Sequence, residues 1–452
     1  MDTKVIIESK PYRVGEWLPT DQTILCNWLE DLSNEVENDK KPFHPVISDL
    51  QHLIETDAEI FALINLAFEQ VPEKYKYSQY GKQVRDYHHF LQLLNAVMTK
   101  SPTYNDTGCV GFPINAILDW SMGTEGGFAA FLNDKLNAQF KKVLQHWGTF
   151  LNSVDSNYVL SIDNHPIQGS GHKLTKQYCW LSDKAMVAMM NMMRQHKEPI
   201  KPEEHAKARL EFIDTFQCDP RDEHYGFTCW DDFFTREFRD GKRPIAAEGN
   251  DNVIVNACES APYRVTKGND VKLRNQFWIK GQPYSLSHML NNDKRAEQFV
   301  GGTVYQAFLS AKSYHRWNCP ISGTIIKTQM VDGSYYSETP VAGYDDAAPN
   351  DSQGYIAEVA TRAVIFIEAD NPAIGLMAIV FIGMAEVSSC DIRVYEGQKV
   401  SKGQPMGTFH FGGSSHCMLF RKEVELEFDL MGQKPGLNTF NLCVNSKLAT
   451  IK

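Results

Sequence analysis

Apolar residues recur with helical spacing along the first 225 positions. Thr56 and Glu59 have the spacing of a capping box, and apolar positions follow them every three or four residues. A longer amphipathic stretch, from Phe128 to Trp147, predicts a single helix. Ser182 is the expected cap of another helix, whose methionine stripe favours core packing over cofactor binding. The first half of the chain is therefore predicted to be helical.

From about residue 250 the pattern changes to short β-rich runs broken by Gly, Pro and Asn. The predicted strands are residues 253–255, 303–305, 323–326, 363–367 and 376–382. This change predicts an α+β fold, with a helical N-terminal domain over residues 1–225 and a β-rich domain over residues 226–452. Residues 342–354, rich in Asp, Pro, Gly and Asn, are expected to form an exposed loop.

Length and charge narrow the class of protein. A chain of 452 residues exceeds the size at which one hydrophobic core stops growing, which favours two domains. The net charge of −11 argues against nucleic acid as a partner. The apolar run over residues 375–383 is too short to span a membrane, and the N-terminus lacks signal-peptide features, so a cytoplasmic location is expected. Ten cysteines without Cys-x-x-Cys spacing predict reduced thiols, and no metal site is predicted.

A serine that follows two glycines, in the segment Phe411-Gly412-Gly413-Ser414, has two interpretations. Taken alone, the segment is most simply a glycine-rich turn. Alternatively, the unhindered backbone permits a strained turn that exposes the Gly413 carbonyl to the Ser414 hydroxyl. An N-to-O acyl shift, elimination and hydrolysis would then leave a pyruvoyl group, a ketone that condenses with a substrate amine and replaces pyridoxal phosphate.

Six segments together resemble the phosphatidylserine decarboxylases, in the order in which that family carries them. They are WDDFFTREFR (230–239), ACES (257–260), KGQPYSL (280–286), YHRWN (314–318), FIEADN (366–371) and HFGGSS (410–415). The helical first half is similar to the extra domain of a fungal branch that includes soluble L-tryptophan decarboxylase. The resemblance implies a phosphatidylserine decarboxylase-like catalytic domain and a pyruvoyl cofactor made from Ser414, without pyridoxal phosphate.

The resemblance also implies roles for individual residues. Cleavage is expected between Gly413 and Ser414, and Glu259 matches the family aspartate that assists it. His315 matches the histidine linked to decarboxylation, where it would protonate the substrate carbon after carbon dioxide leaves. The family base that activates the serine is a second histidine, and here that position is Asn318.

Asparagine cannot accept a proton near neutral pH, so this departure leaves the base of self-cleavage open. His416 and His410 are the candidate substitutes, although a neighbour two residues away in a turn often points elsewhere. Slow cleavage, another base and no cleavage are the three possible outcomes. Restoring histidine at position 318 should accelerate cleavage if the missing base is limiting.

Other candidate groups have ordinary structural interpretations. Glu368 and Asp370 would share one face of a strand, where they could bind a substrate ammonium but equally well form a solvated surface. Glu386 is a weak candidate for the substrate pocket, and a structural role is the preferred interpretation. Adjacent His88 and His89 diverge by about 100° on a helix, too far for one metal ion.

Three hypotheses for function follow, in order of preference. The first is pyruvoyl-dependent decarboxylation of a free L-amino acid, which the lack of a predicted membrane-binding segment favours over a phospholipid. The resemblance implies that this amino acid is aromatic and tryptophan-like. The second is the same chemistry on phosphatidylserine. The third is an uncleaved binding or scaffold protein, suggested by Asn318. The family makes a homo-oligomer plausible, but no residue pattern indicates one.

Overall fold

The computed structural model describes residues 23–72, 84–104, 112–162, 179–195, 198–274, 284–339, 352–386, 389–436 and 439–452. In these ranges the first half of the chain is helical, as predicted. Its α-helices are α1 Thr23–Asn38, α2 Pro45–Thr56, α3 Ala58–Glu69, α4 Tyr87–Val97, α5 Pro113–Met122, α6 Glu125–Phe131, α7 Asp134–Leu151, α8 Asp183–Met192, α9 His205–Thr215 and α10 Trp230–Phe234.

Helix caps explain where two of the sequence predictions differ from the structure. Thr56 ends α2, and the cap of α3 is Asp57, whose carboxylate accepts the N–H groups of Glu59 and Ile60. The stretch predicted as one helix is divided by Asn133, whose side chain caps α7 just after α6 ends. Both predictions were wrong because an Asx side chain can begin a new helix wherever the chain bends.

The predicted cap of α8 is confirmed. Ser182 accepts the N–H of Ala185, and three of the methionines that follow are buried in the core, namely Met186, Met189 and Met190. Among the described helices, none is both long and apolar enough to cross a bilayer.

The second half of the chain forms antiparallel sheets, and the five predicted runs all lie within strands. The strands are β1 Val253–Val255, β2 Ala261–Gly268, β3 Gly301–Leu309, β4 Arg316–Asn318, β5 Gly323–Val331, β6 Arg362–Ala369, β7 Leu376–Met384, β8 Cys390–Ile392, β9 Lys399–Val400, β10 Pro405–Phe409, β11 Gly413–Phe420, β12 Leu426–Phe428 and β13 Lys447–Ile451. Two short helices, α11 Leu286–Met289 and α12 Gln353–Val359, accompany them.

Seven strands form the main sheet, in the order β2-β3-β11-β7-β6-β5-β9. Its two faces pack against different partners, because side chains alternate along each strand. Met418 and Phe420 of β11 face a core that includes the small sheet β4-β10-β8, through Trp317 and Phe409. Cys417 and Leu419 face the opposite core, which holds α11 and α12. The strand that begins at Gly413 is therefore covered on both faces.

The core of the helical half extends beyond residue 225. It includes Trp230, Phe233 and Phe234 of α10, and it also takes in Phe411, just before β11. The division between residues 225 and 226 stays a prediction. The loop predicted over residues 342–354 lies mostly outside the described residues, since the structure describes 339 and then 352 onward.

Candidate functional site

Ser414 lies at the point where the chain crosses from the small sheet to the main sheet. The chain leaves β10 at Phe409 and enters β11 at Gly413, and we call residues 410–412 the crossing turn. Gly412 has φ of 139°, a conformation that favours glycine because a side chain there would be strained. The first glycine of the pair is thus required by the backbone of the turn.

The Ser414 side chain is buried within the main sheet. Its backbone lies between Leu309 of β3 and Gly383 of β7, and its exposed fraction is 0%. The hydroxyl oxygen has no hydrogen bond among the described residues. Buried hydroxyl groups are normally hydrogen-bonded, so the Ser414 hydroxyl departs from the usual pattern.

His416 is on the same face of β11 as Ser414, since the two residues are two apart on a strand. The imidazole ring lies 5.9 Å from that of Tyr305 and 6.3 Å from that of Phe381, measured between ring centroids. Neither ring nitrogen has a hydrogen-bond partner within the described chain. Burial lowers the pKa of His416 to about 3, so this imidazole is neutral at pH 7.

His315 lies at the same end of the small sheet as the crossing turn. Its carbonyl accepts the N–H of Phe409, and its ring stacks on Phe234 with 3.9 Å between centroids. Burial lowers the pKa of His315 well below its ordinary value, and the nearby charge of Arg236 lowers it further. Among the described residues, no group makes a hydrogen bond of normal geometry to either ring nitrogen, so His315 is a second neutral imidazole near the turn.

Arg236, which the sequence did not single out, fixes the segment that carries His315. Its guanidinium donates to the carbonyls of Lys312 and Ser313 at 2.8 and 3.3 Å, and it lies over the Phe233 ring. The arginine belongs to the WDDFFTREFR segment. Its place in that segment is the signal that the sequence offers. The contact of Arg236 with the carbonyls of Lys312 and Ser313 depends on the fold.

Glu259 is buried and held by a bidentate ion pair. Arg243 donates to its two oxygens at 2.6 and 3.1 Å, and the N–H of Val444 donates to one of them at 2.8 Å. The ion pair with Glu259 raises the pKa of Arg243, in spite of the burial that lowers it. The acid that the resemblance assigns to self-cleavage therefore has a full set of donors.

Asn318 belongs to the same hydrogen-bond network as Glu259. Its amide donates to the side chain of Asn445 at 3.1 Å, and Asn445 in turn donates to the Arg243 carbonyl at 3.1 Å. The structure connects Asn318 with the surroundings of Glu259, and no hydrogen bond in the described chain connects it with Ser414.

A cavity of about 810 Å³ opens beside the crossing turn. Its lining includes Trp147 of α7, together with Asp231, Glu386, His410 and Phe411. Both carboxylate oxygens of Asp231 lie 3.0 Å from the Nδ1 atom of His410. His410, one candidate base, thus pairs with a carboxylate in this cavity, whereas His416 lies within the sheet.

Glu386 is the most perturbed acid of the cavity. Its Oε1 atom accepts the N–H groups of Ile114 and Asn115, at 2.6 and 2.9 Å, and so caps α5 from 271 residues away. Its Oε2 atom is buried without a hydrogen-bond partner in the part of the chain described. Burial raises the pKa of Glu386 to about 7. The structural role expected of Glu386 from the sequence accounts for only one of its two oxygens.

Aromatic contacts join the helical half to the crossing turn. The Phe411 ring meets Trp147 edge to face at 4.8 Å and stacks on Phe112 at 6.1 Å. Phe411 is three residues before Ser414, so helices α5 and α7 help to fix the backbone that leads to the serine.

The remaining candidates are ordinary. Glu368 and Asp370 are exposed on one strand face, and Asp370 pairs with Lys399. His88 is exposed while His89 is buried, as expected for divergent helix positions. Lys280 lies outside the described residues. Among those described, no group of three or more His, Cys, Asp or Glu side chains could hold a metal ion.

The helical region and the strand-rich region each match a known family of decarboxylases. Two family models, both described as phosphatidylserine decarboxylase, match residues 44–189 and 230–435. The chain belongs to the phosphatidylserine decarboxylase family, whose members generally depend on a pyruvoyl group.

Individual relatives differ in how much of the chain they match. L-tryptophan decarboxylase of Psilocybe cubensis is 34% identical over 94% of this chain and 92% of its own length. Decarboxylase iboD of Amanita muscaria is 38% identical over 73% of this chain and 90% of its own. Phosphatidylserine decarboxylase proenzyme 3 of Schizosaccharomyces pombe is 28% identical over 44% of this chain and 19% of its own.

Proposed function

We propose that this chain cuts itself between Gly413 and Ser414 and then decarboxylates a free aromatic L-amino acid, L-tryptophan or a similar one. The products would be the amine and carbon dioxide. The observation that carries the substrate proposal is the length of the match: an L-tryptophan decarboxylase aligns with 94% of the chain, helical half included. A phosphatidylserine decarboxylase of Schizosaccharomyces pombe aligns with 44% of it.

The surroundings of Ser414 support the proposed self-cleavage. Its unsatisfied hydroxyl would attack the Gly413 carbonyl carbon, forming an ester as the peptide C–N bond breaks and the serine nitrogen becomes an amine. Elimination would then release the new C-terminus at Gly413, and hydrolysis would add water and release ammonia. The fixed, positive φ of Gly412 supports this step, because it limits the ways in which the turn can relax.

We assign the base of self-cleavage to His416 in place of the missing histidine at position 318. His416 shares the strand face of Ser414 and is neutral, so a ring nitrogen can accept a proton. Its low pKa makes it a weak base, and slow maturation is the expected consequence. His410 is the less favoured candidate because it lies in the crossing turn and lines the cavity, whereas His416 shares the strand face of Ser414.

The pyruvoyl group at Ser414, once formed, would supply a ketone that condenses with the substrate amine and accepts electrons as carbon dioxide leaves. His315 would donate the proton that the substrate carbon then takes up, because burial lowers its pKa and so makes its protonated ring a strong acid. Arg236 would position His315 by holding the preceding carbonyls. Glu259, fixed by Arg243, would assist cleavage as the family aspartate does.

The test is the intact mass of the purified protein under denaturing conditions. Cleavage should release residues 414–452, a fragment of about 4 kDa from the 51.3 kDa chain. The mass of this fragment should be about 17 Da below the mass calculated from its sequence, because ammonia has been lost. Ser414→Ala should remain one chain. Mature protein should then release carbon dioxide from L-tryptophan.

Other outcomes would support the competing functions. Conversion of phosphatidylserine in vesicles, with no turnover of free amino acids, would establish the lipid substrate. An uncut wild-type chain after long incubation would favour the scaffold hypothesis, for which Asn318 is the motivating residue. The cytoplasmic location and self-association expected above stay predictions.

A further inference from the structure

The cavity beside the crossing turn has the size and position of a substrate site. Its volume of about 810 Å³ lies within the range of roughly 300–1,000 Å³ typical of small-molecule sites. Helix α7 contributes several lining residues, among them Trp147, whose ring is in contact with that of Phe411, another lining residue. Gly412 and Gly413 are all that separate Phe411 from Ser414 along the chain. The cavity therefore adjoins the turn that leads to the serine.

Most of the charged side chains that line the cavity are carboxylates, which accept hydrogen bonds but donate none when ionised. Four carboxylates line it, those of Asp231, Asp332, Glu386 and Asp391. The lysine among the described lining residues, Lys141, is ion-paired with Asp332 at 2.6 Å. The N–H groups that begin α5 are already bound by Glu386. An anionic phosphate, which needs cations or N–H donors, would be repelled here.

Glu386 has one oxygen that is free to accept. Because Oε1 is fully used by α5, the buried Oε2 atom is the acceptor that faces no partner within the described residues. A buried acceptor without a partner is costly, and a ligand N–H would remove that cost. Aromatic side chains of the same cavity, Trp147 and Phe411, suit a flat ring.

We propose that this cavity holds the aromatic ring of the substrate, and that the Oε2 atom of Glu386 selects a ring that carries an N–H donor. The role rests on the proposed amino-acid decarboxylase function and adds a residue that determines specificity. Burial raises the pKa of Glu386 to about 7, and a donated hydrogen bond would favour its ionised form. The surplus of carboxylates also suits a substrate with an ammonium group and disfavours the phosphate of phosphatidylserine.

The experiment compares L-tryptophan with β-(3-benzothienyl)-L-alanine, in which sulfur replaces the ring N–H with little change of shape. Wild-type protein should prefer L-tryptophan by at least about 100-fold in kcat/KM, as expected where a site is built to bind an N–H. In Glu386→Gln the amide oxygen should stay with α5, which turns an NH₂ donor toward the ring. The preference should then fall to within about threefold, mainly through loss of L-tryptophan turnover.

A matched control separates this effect from charge removal in general. Glu368→Gln removes an exposed carboxylate from a strand of the same sheet and should keep the full preference. Intact mass shows whether each variant has matured, so a failure of self-cleavage is recognised separately. An unchanged preference in mature Glu386→Gln would overturn the inference.

Binding of the corresponding amines tests the inference without catalysis. By calorimetry, tryptamine should bind wild-type protein at least about tenfold more tightly than its benzothiophene analogue, and Glu386→Gln should remove the difference. If the wild type decarboxylates no amino acid but this difference is present, the proposed function fails while the ring site stands. If the amines bind equally, or do not bind, the ring site is refuted even where L-tryptophan is decarboxylated.

Discussion

Glu386 should make the stability of the protein fall as pH rises through neutrality. Its pKa is raised from 4.5 to about 7, so the folded protein binds this proton more tightly than the unfolded chain does. Between these two pH values the folded state carries more protons, and the free energy of unfolding therefore decreases with pH. The contribution of this proton to the free energy of unfolding is fully present below pH 4.5 and is lost as the pH rises through 7.

The size of the effect follows from the shift. About 2.5 pKa units at roughly 1.4 kcal/mol each give a loss of about 3 kcal/mol, a large fraction of the stability of a typical domain. Solvent screens this carboxylate very little, because Glu386 is 2% exposed. Glu386→Gln cannot ionise, so the variant should lack this part of the pH dependence.

The assay is urea unfolding of uncut protein between pH 5 and pH 8. Ser414→Ala serves as the background for both proteins, so that each is a single chain. As the pH rises across this range, the free energy of unfolding of the Glu386→Gln protein should increase by about 3 kcal/mol relative to that of the protein with Glu386. Parallel curves would refute the argument that burial dominates the environment of Glu386.

Two controls identify the titrating group. Glu368→Gln, at an exposed position, should give curves parallel to those of its parent. His410 lines the same cavity, so the comparison is repeated with His410→Gln in both proteins. The difference between the curves should survive that change.

Three further predictions concern the ion pair, the proposed base and the aromatic contact. Arg243→Met leaves the charge of Glu259 buried without its ion-pair partner and should lower the free energy of unfolding in urea by about 3–5 kcal/mol. Adding Glu259→Leu should recover part of this loss, and a double variant no more stable than the single one would contradict the argument. His416→Asn should slow fragment formation at least about 100-fold, followed by denaturing electrophoresis, and an unchanged rate would eliminate His416 as the base. Trp147→Ala removes a buried ring that meets Phe411 and should cost about 3–5 kcal/mol. A loss below about 1 kcal/mol would mean that the contact contributes little to stability.

The strands were predictable because they are the most uniformly apolar parts of the chain. Residues 376–382 have buried side chains on both faces of the main sheet, so an unbroken apolar run is enough to identify them. Helix boundaries were harder, since a single Asx residue decides them. Asn133 lies inside a continuous amphipathic pattern, and nothing in that pattern reveals that its side chain begins a new helix.

The sequence predicted several residues of the candidate site, but not the contacts between residues that are far apart in the chain. Ser414 and His315 belong to recognisable segments, and both are buried near the crossing turn. The contacts of Glu386 with Ile114 and of Arg236 with Lys312 join residues hundreds or tens of positions apart. Such pairs depend on how the two halves pack, which periodicity and motif spacing do not describe.

The central position of β11 has a consequence for the protein after the proposed cut. The piece that begins at Ser414 would keep β3 on one side and β7 on the other, and its last strand would keep β1. The two polypeptides would therefore stay together as an interlocked pair without a covalent link. The sheet would be assembled while the chain is still continuous, and that connection would no longer exist afterwards. Thermal unfolding of the mature pair should accordingly be irreversible, so its lifetime would be governed by the rate of unfolding.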